Sequence, residues 1–142
     1  MIDEAVVTWT LSGLPRGVSA GKIFTLELTA KIASGWHVYS MTQPEGGPIA
    51  TSISLPPGQP FHLAGPVVGP APESSWDEAL ELQMECYTDT AVFTIPVRVE
   101  QNAEPGLLEL LLEISYQECS ETTCEPPAKV TVSTPISVSE QA

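Results

Sequence analysis

Positive charge is the scarcest feature of this chain. Five Lys and Arg stand against 18 Asp and Glu in 142 residues, a net charge of −13. Nucleic acids and anionic membrane surfaces are bound through basic patches, so neither is expected as a partner; a soluble partner with a neutral or positive face is compatible. Histidine is almost as rare, with only His37 and His62. Zinc sites of the common kinds combine two cysteine pairs, or one pair with suitably spaced histidines, and this chain offers neither pattern. No run approaches the roughly 18 apolar residues of a membrane-spanning helix. No charged-then-apolar leader opens the chain. If the protein is exported, its signal peptide is absent from these residues, with Met1-Ile2-Asp3 an added start. No internal repeat divides the chain, and its length suits one domain.

What is abundant is turn and strand material. Fourteen prolines and ten glycines at 42% hydrophobic residues suit short strands joined by turns better than helices. Lys22 to Ile32 alternates most clearly, with Phe24, Leu26, Leu28, Ala30 and Ile32 on one face. Val6–Leu11, Trp36–Met41, Thr51–Leu55 and an interrupted Phe61–Val68 read as further strands. In Trp36–Met41, His37, Tyr39 and Met41 share one face and Trp36 and Val38 the other. Gly69–Ser75 reads as loop and Trp76–Glu81 as irregular loop. Leu82–Tyr87 and Ala91–Val99 read as a hairpin around Thr88-Asp89-Thr90, with an edge or bulge at Pro96. Leu107–Tyr116 is good helix material by composition, but Leu108, Leu110, Leu112, Ile114 and Tyr116 also alternate, and the strand-like flanks favour a strand. Lys129–Val138 is the last strand, broken at Pro135. The spacing argues for an all-β sandwich.

Two of the three cysteines lie in Tyr116-Gln117-Glu118-Cys119-Ser120-Glu121-Thr122-Thr123-Cys124-Glu125-Pro126-Pro127. Cysteines flanking a four-residue turn meet the geometry of a disulfide. So short a loop stabilises little, about 2 kcal/mol, and a domain of this length does not need it to fold. The residues alone leave a structural clip and a redox-active pair equally open.

The Tyr-Gln-x-Cys-x4-Cys-x-Pro-Pro pattern resembles the active-site segment of the N-terminal periplasmic domains of the DsbD thiol:disulfide interchange family. Ser34-Gly35-Trp36-His37-Val38-Tyr39-Ser40 is similar to a strand of that domain. Asp77-Glu78-Ala79-Leu80, with Tyr87 and the strand Ala91–Val97 following, is similar to its cap-loop segment. The resemblance runs from about Val6 to Val138. It implies an immunoglobulin-like β-sandwich, with the cysteine pair on a hairpin and a cap loop over it, excised from a longer membrane-anchored protein. It implies a periplasmic domain, residues 1–142, that takes electrons from a thioredoxin-like domain and passes them to thioredoxin-fold clients, including those of cytochrome c biogenesis. The activity is that of a domain of a protein-disulfide reductase. By the same resemblance, Cys119 and Cys124 are the redox pair, with Cys124 forming the mixed disulfide. Asp77 and Glu78 are the acidic residues beside it, and His37 and Tyr39 lie near the sulfurs. The cap position, often aromatic in the family, reads Ala79-Leu80 here, so shielding passes to Leu80 or Trp76. No cofactor beyond the disulfide is implied.

Three further expectations concern single residues. Cys86 is expected to be a buried small hydrophobe. Met41 and Met84 with His37 and a cysteine offer soft copper ligands without a methionine-rich cluster to support them. Glu118, Glu121 and Glu125 crowd the pair, opposed in nearby sequence only by Lys129, and should raise its thiol pKa. The rival to the exchange domain is a non-enzymatic immunoglobulin-like binding or spacer module with a structural disulfide.

Overall fold

Alternation of apolar and polar residues becomes a set of strands with one buried face each. A computed structural model describes residues 5–141, so Met1-Ile2-Asp3 and the extreme ends of the expected 1–142 domain lie outside it. The described residues form twelve strands and no helix: β1 (Val7–Ser12), β2 (Val18–Ser19), β3 (Ile23–Ile32), β4 (His37–Tyr39), β5 (Ser52–Ser54), β6 (Phe61–Leu63), β7 (Glu73–Asp77), β8 (Leu82–Tyr87), β9 (Thr90–Val99), β10 (Gly106–Tyr116), β11 (Glu118–Cys119) and β12 (Ala128–Ser139). They make three four-stranded sheets, ordered β1-β3-β9-β6, β2-β12-β10-β5 and β11-β4-β8-β7.

The first two sheets share one core. Leu26, Leu28 and Ala30 of β3 and Phe93, Ile95, Val97 and Val99 of β9 are buried in the same cluster as Leu110, Leu112 and Ile114 of β10 and Ile136 of β12. The third sheet joins this core through Val38 and Tyr87, which stand opposite each other in register. Neighbouring side chains on a strand point to opposite faces. With Val38 turned into the core, His37 and Tyr39 are turned away from it, on the outer face of the third sheet. The all-β immunoglobulin-like sandwich expected from the sequence is what forms.

Three expectations change. Leu82–Tyr87 and Thr90–Val99 are not a hairpin: β8 pairs with β4 and β7, whereas β9 pairs with β3 and β6. Asp89, at φ 60°, sits where the chain crosses from one sheet to the other. Glu73–Asp77, assigned to loop, is a strand and forms the actual hairpin with β8. It was invisible to a burial pattern because all of it but Asp77 is exposed; backbone pairing alone makes it a strand. Pro135 does not break β12, which runs through it opposite Glu109. The other flank of β12 is paired only from Val138 onward, so a residue without an N–H is tolerated there.

Pro96 lies in an inner strand, yet the missing donor has an explanation. Its carbonyl accepts from Ala64 N–H at 2.9 Å, and a strand residue directs its N and O to the same side. The absent N–H therefore faces the segment after Leu63, which bows away before Val68 bridges Thr94.

Candidate functional site

The cysteine hairpin hangs from the edge of the third sheet. β11 pairs with β4, placing Glu118 opposite Val38 and Cys119 opposite His37. Ser120 N–H donates to the Thr123 carbonyl at 2.7 Å, and Glu125 N–H to the Glu118 carbonyl at 3.0 Å. Between these two hydrogen bonds, Cys119 and Cys124 bridge each other and are joined as a disulfide, with Cα atoms 4.0 Å apart. Gln117 ties the hairpin down: its side-chain amide donates to the Glu125 carbonyl at 3.1 Å, and its oxygen accepts from Ile49 N–H at 3.1 Å. The glutamine of the motif is thus an anchor between the hairpin and the loop before β5.

The two sulfurs are in unequal positions. Cys119 is 1% exposed, whereas Cys124 is exposed. A thiolate arriving from outside meets Cys124. Both cysteines line an open cleft of about 400 Å³ on the outer face of the third sheet, with His37 and Tyr39 on its floor and Asp77, Leu80 and Pro48 on its wall. His37 Nε2 and the Tyr39 hydroxyl are 2.9 Å apart. Burial lowers the His37 pKa, so its ring is neutral near pH 7. Burial, with Cys86 and Asp77 nearby, pushes Tyr39 up to about 12.

Of the residues singled out in the sequence, Cys119, Cys124, His37, Tyr39, Asp77 and Leu80 come together around the cleft. Asp77 also holds its own turn, accepting from Leu80 N–H at 2.9 Å. Leu80 is half-exposed and lies against the Gly46-Gly47-Pro48 loop, where a Cβ on Gly47 would come within 3.3 Å of it. Glu78 is exposed in the turn and does not line the cleft. Trp76, 60% exposed, faces the other side of β7 opposite Gln83. Of the two candidates for shielding the sulfurs, Leu80 lines the cleft with them and Trp76 does not.

Cys86 is the main correction. It is half-buried and lines the same cleft, two residues along from Met84, which lines it too. Burial and the Glu73 carboxylate raise its thiol pKa. Alternation in β8 shows that Met84 and Cys86 share a face, but nothing local shows that the face adjoins the disulfide; the pairing of Cys86 with Tyr39 does. Met41 lies elsewhere, in a shallow hollow with Ile53 and Leu63, so the four soft ligands of the copper reading are not gathered. His62, on the first sheet, is 2.6 Å from Glu100.

The cleft end of the molecule is uniformly acidic. Glu73, Asp77, Glu78, Glu81, Glu85, Glu118, Glu121 and Glu125 belong to the third sheet and its turns, and no Lys or Arg occurs from residue 32 to 97 or from 99 to 128. Lys129, the one cation expected to oppose the carboxylates, is bound to Glu113 at 3.2 Å.

Comparison with known proteins agrees with this fold. The family model "Thiol:disulfide interchange protein DsbD, N-terminal" matches residues 16–136. The reduced N-terminal domain of DsbD from Neisseria meningitidis superposes with a TM-score of 0.55 at 18% identity, over 79% of this chain and 77% of that one. The N-terminal periplasmic domain of ScsB from Proteus mirabilis superposes with a TM-score of 0.59 at 16% identity, over 94% of this chain and 47% of that one. At such identities the structural likeness speaks for the fold. No curated protein sequence matches the chain.

Proposed function

The chain belongs to the family of N-terminal domains of the thiol:disulfide interchange protein DsbD, and from that premise we propose that it is a single exchange domain relaying electrons through Cys119 and Cys124. The family is one of thiol:disulfide interchange, with thioredoxin-like partners and periplasmic members. The finer reading places this domain in the periplasm as part of a longer, membrane-anchored protein. A donor thiolate on a thioredoxin-like domain attacks Cys124, the S–S bond breaks, and Cys119 leaves as a thiolate and takes up a proton. The donor's second thiol then attacks the donor sulfur of the mixed disulfide and releases Cys124. In the second half, the Cys124 thiolate attacks a client disulfide. Cys119 then attacks Cys124, which reforms the bond and releases the client's second sulfur. Two electrons pass and no other cofactor takes part.

The observation that carries this reading is the asymmetry of the pair, one sulfur exposed at the mouth of a cleft and its partner buried behind it. His37 and Tyr39 supply a neutral floor. Carboxylates around Cys124 disfavour its thiolate, so the reduced pair is slow toward small oxidants and reacts when a partner docks over it. A Cys124 thiol pKa well below 8 contradicts this.

The deciding experiment is equilibration of the Cys119–Cys124 pair against glutathione in a Cys86→Ser background. A potential between about −180 and −270 mV is that of exchange proteins, while one below about −300 mV is that of structural disulfides. The second outcome would leave an immunoglobulin-like binding or spacer module without enzymatic activity.

A further inference from the structure

One residue outside the disulfide on each strand stands a glutamate. Glu118 and Glu125 are directly opposite each other across the neck of the hairpin, joined through the Glu125 N–H···O=C Glu118 hydrogen bond of 3.0 Å. Like charges in that relation repel. Alternation turns Glu118 away from the cleft, onto the face it shares with its β4 partner Val38. There its Oε2 is buried with no hydrogen-bond partner.

Among the described residues, the charge that acts on the Glu118 carboxyl is that of Glu125. Tyr116 of β10 feels the Glu118 carboxylate, and its phenol is displaced upward, chiefly by burial. Trp9 of β1 packs on Tyr116 with ring centroids 5.2 Å apart. From β4 comes the apolar Val38, and from the returning strand comes Glu125. Burial first, and Glu125 second, raise the carboxyl pKa of Glu118.

We propose that Glu118 is a positioning residue for the redox step: set against Glu125 across a neck that the Cys119–Cys124 bond holds shut, it drives that bond toward reduction whenever it is ionised. Two unbonded sulfurs need more room than two bonded ones, so reduction lets the neck widen and the carboxylates part. The repulsion is present in the disulfide state and relieved in the dithiol state. Glu118 accordingly holds its proton more tightly in the disulfide than in the dithiol. Reduction consumes two electrons and two protons. In the pH interval between the two Glu118 pKa values, one of those protons comes, in the overall balance, from the Glu118 carboxyl and one from solvent. The inference deepens the exchange reading above, but requires of it only that the bond be reducible.

The test is the equilibrium constant for reduction by glutathione, measured from pH 5 to 8 for the Cys86→Ser protein and for the same protein carrying Glu118→Gln. Near pH 8 the glutamine variant should be harder to reduce by about 1.4- to fivefold, the range of a directly opposed cross-strand pair, and the gap should close toward pH 5. Glu125→Gln, at an exposed position, should reproduce the effect if Glu118→Gln folds poorly. Carbon-detected NMR titration should give a higher Glu118 pKa in the disulfide form than in the dithiol form. An equal constant at pH 8 in both glutamine variants, a gap independent of pH, or a Glu118 pKa unchanged by reduction each overturns the proposal. The absolute potential judges the exchange reading, whereas the difference between variant and parent judges this one, so either can fail alone.

Discussion

Cutting the disulfide while leaving the chain intact separates a relay from a clip. The bond closes a loop with only four residues between its cysteines, for which chain entropy predicts a loss of about 2 kcal/mol on reduction. The structure gives little reason for more. The turn inside the loop keeps its own hydrogen bond, Ser120 to Thr123. Gln117 still anchors it, and most of the packed core lies in the other two sheets. Against the roughly 5–15 kcal/mol of a typical domain, the reduced protein remains folded. With a urea dependence of about 2 kcal/mol per molar, within the range for small proteins, the midpoint drops by about 1 M. The same difference fixes how much more strongly the fold favours the bond than the unfolded chain does; at 30 mV per 1.4 kcal/mol it is about 40 mV, which leaves the bond open to exchange. The assay is urea unfolding of the Cys86→Ser protein by tryptophan fluorescence, with and without a phosphine reductant. A reduced form that unfolds without urea, or a loss above about 4 kcal/mol, would refute the reasoning and identify the bond as a structural staple.

Three other outcomes follow from the cleft. Shortening the cleft-lining Leu80 with Leu80→Ala should speed reduction of the disulfide by dithiothreitol a few-fold and change stability by less than about 1 kcal/mol, since Leu80 is half-exposed; an unchanged rate would show that Leu80 shields nothing. Cys86, its thiol pKa raised by burial and by Glu73, should react with an aromatic disulfide reagent at pH 8 more slowly than an unfolded control, and Glu73→Gln should accelerate it; equal rates in folded and unfolded chains would contradict the half-buried placement. Tyr39, pushed up to about 12 in the fold from 10.0, keeps its proton where the unfolded chain releases it. The unfolded state then binds fewer protons, so stability is full below pH 10 and falls from there to about 12. Urea midpoints at pH 9, 10 and 11 should fall less steeply in Tyr39→Phe than in the parent.

What the sequence disclosed and what it withheld divide along a physical line. β3, β9 and β10 were readable because one buried face stamps a period of two on the residues themselves, so that even the leucine-rich Leu107–Tyr116, helical by composition, is settled by Leu110, Leu112 and Ile114 entering one core. The hairpin of the cysteine pair was readable because its geometry is local. β7 was not, because an exposed edge strand exists only through hydrogen bonds to a neighbour distant from any burial pattern. The separation of β8 from β9 was not, because two adjacent strands with a short connection read alike whether they pair or part.

Cys86 shows the cost of that limit most clearly. Its own surroundings in sequence, Met84-Glu85-Cys86-Tyr87, give a half-apolar strand and nothing more. Its place beside the disulfide depends on β4 being flanked by β11 on one side and β8 on the other, three segments remote in the chain. Glu118 is the opposite case. Its position next to Cys119 is evident from the sequence, yet the sequence treats it as one more carboxylate near the sulfurs. Only the pairing with β4 shows that it faces inward, away from the cleft its neighbours Cys119 and Ser120 line. Among the carboxylates at this end of the molecule, most are solvated charges that a docking partner meets on approach. Glu118 and Glu125 are fixed relative to the bond itself, and a change in that bond is therefore the event to which their charge responds.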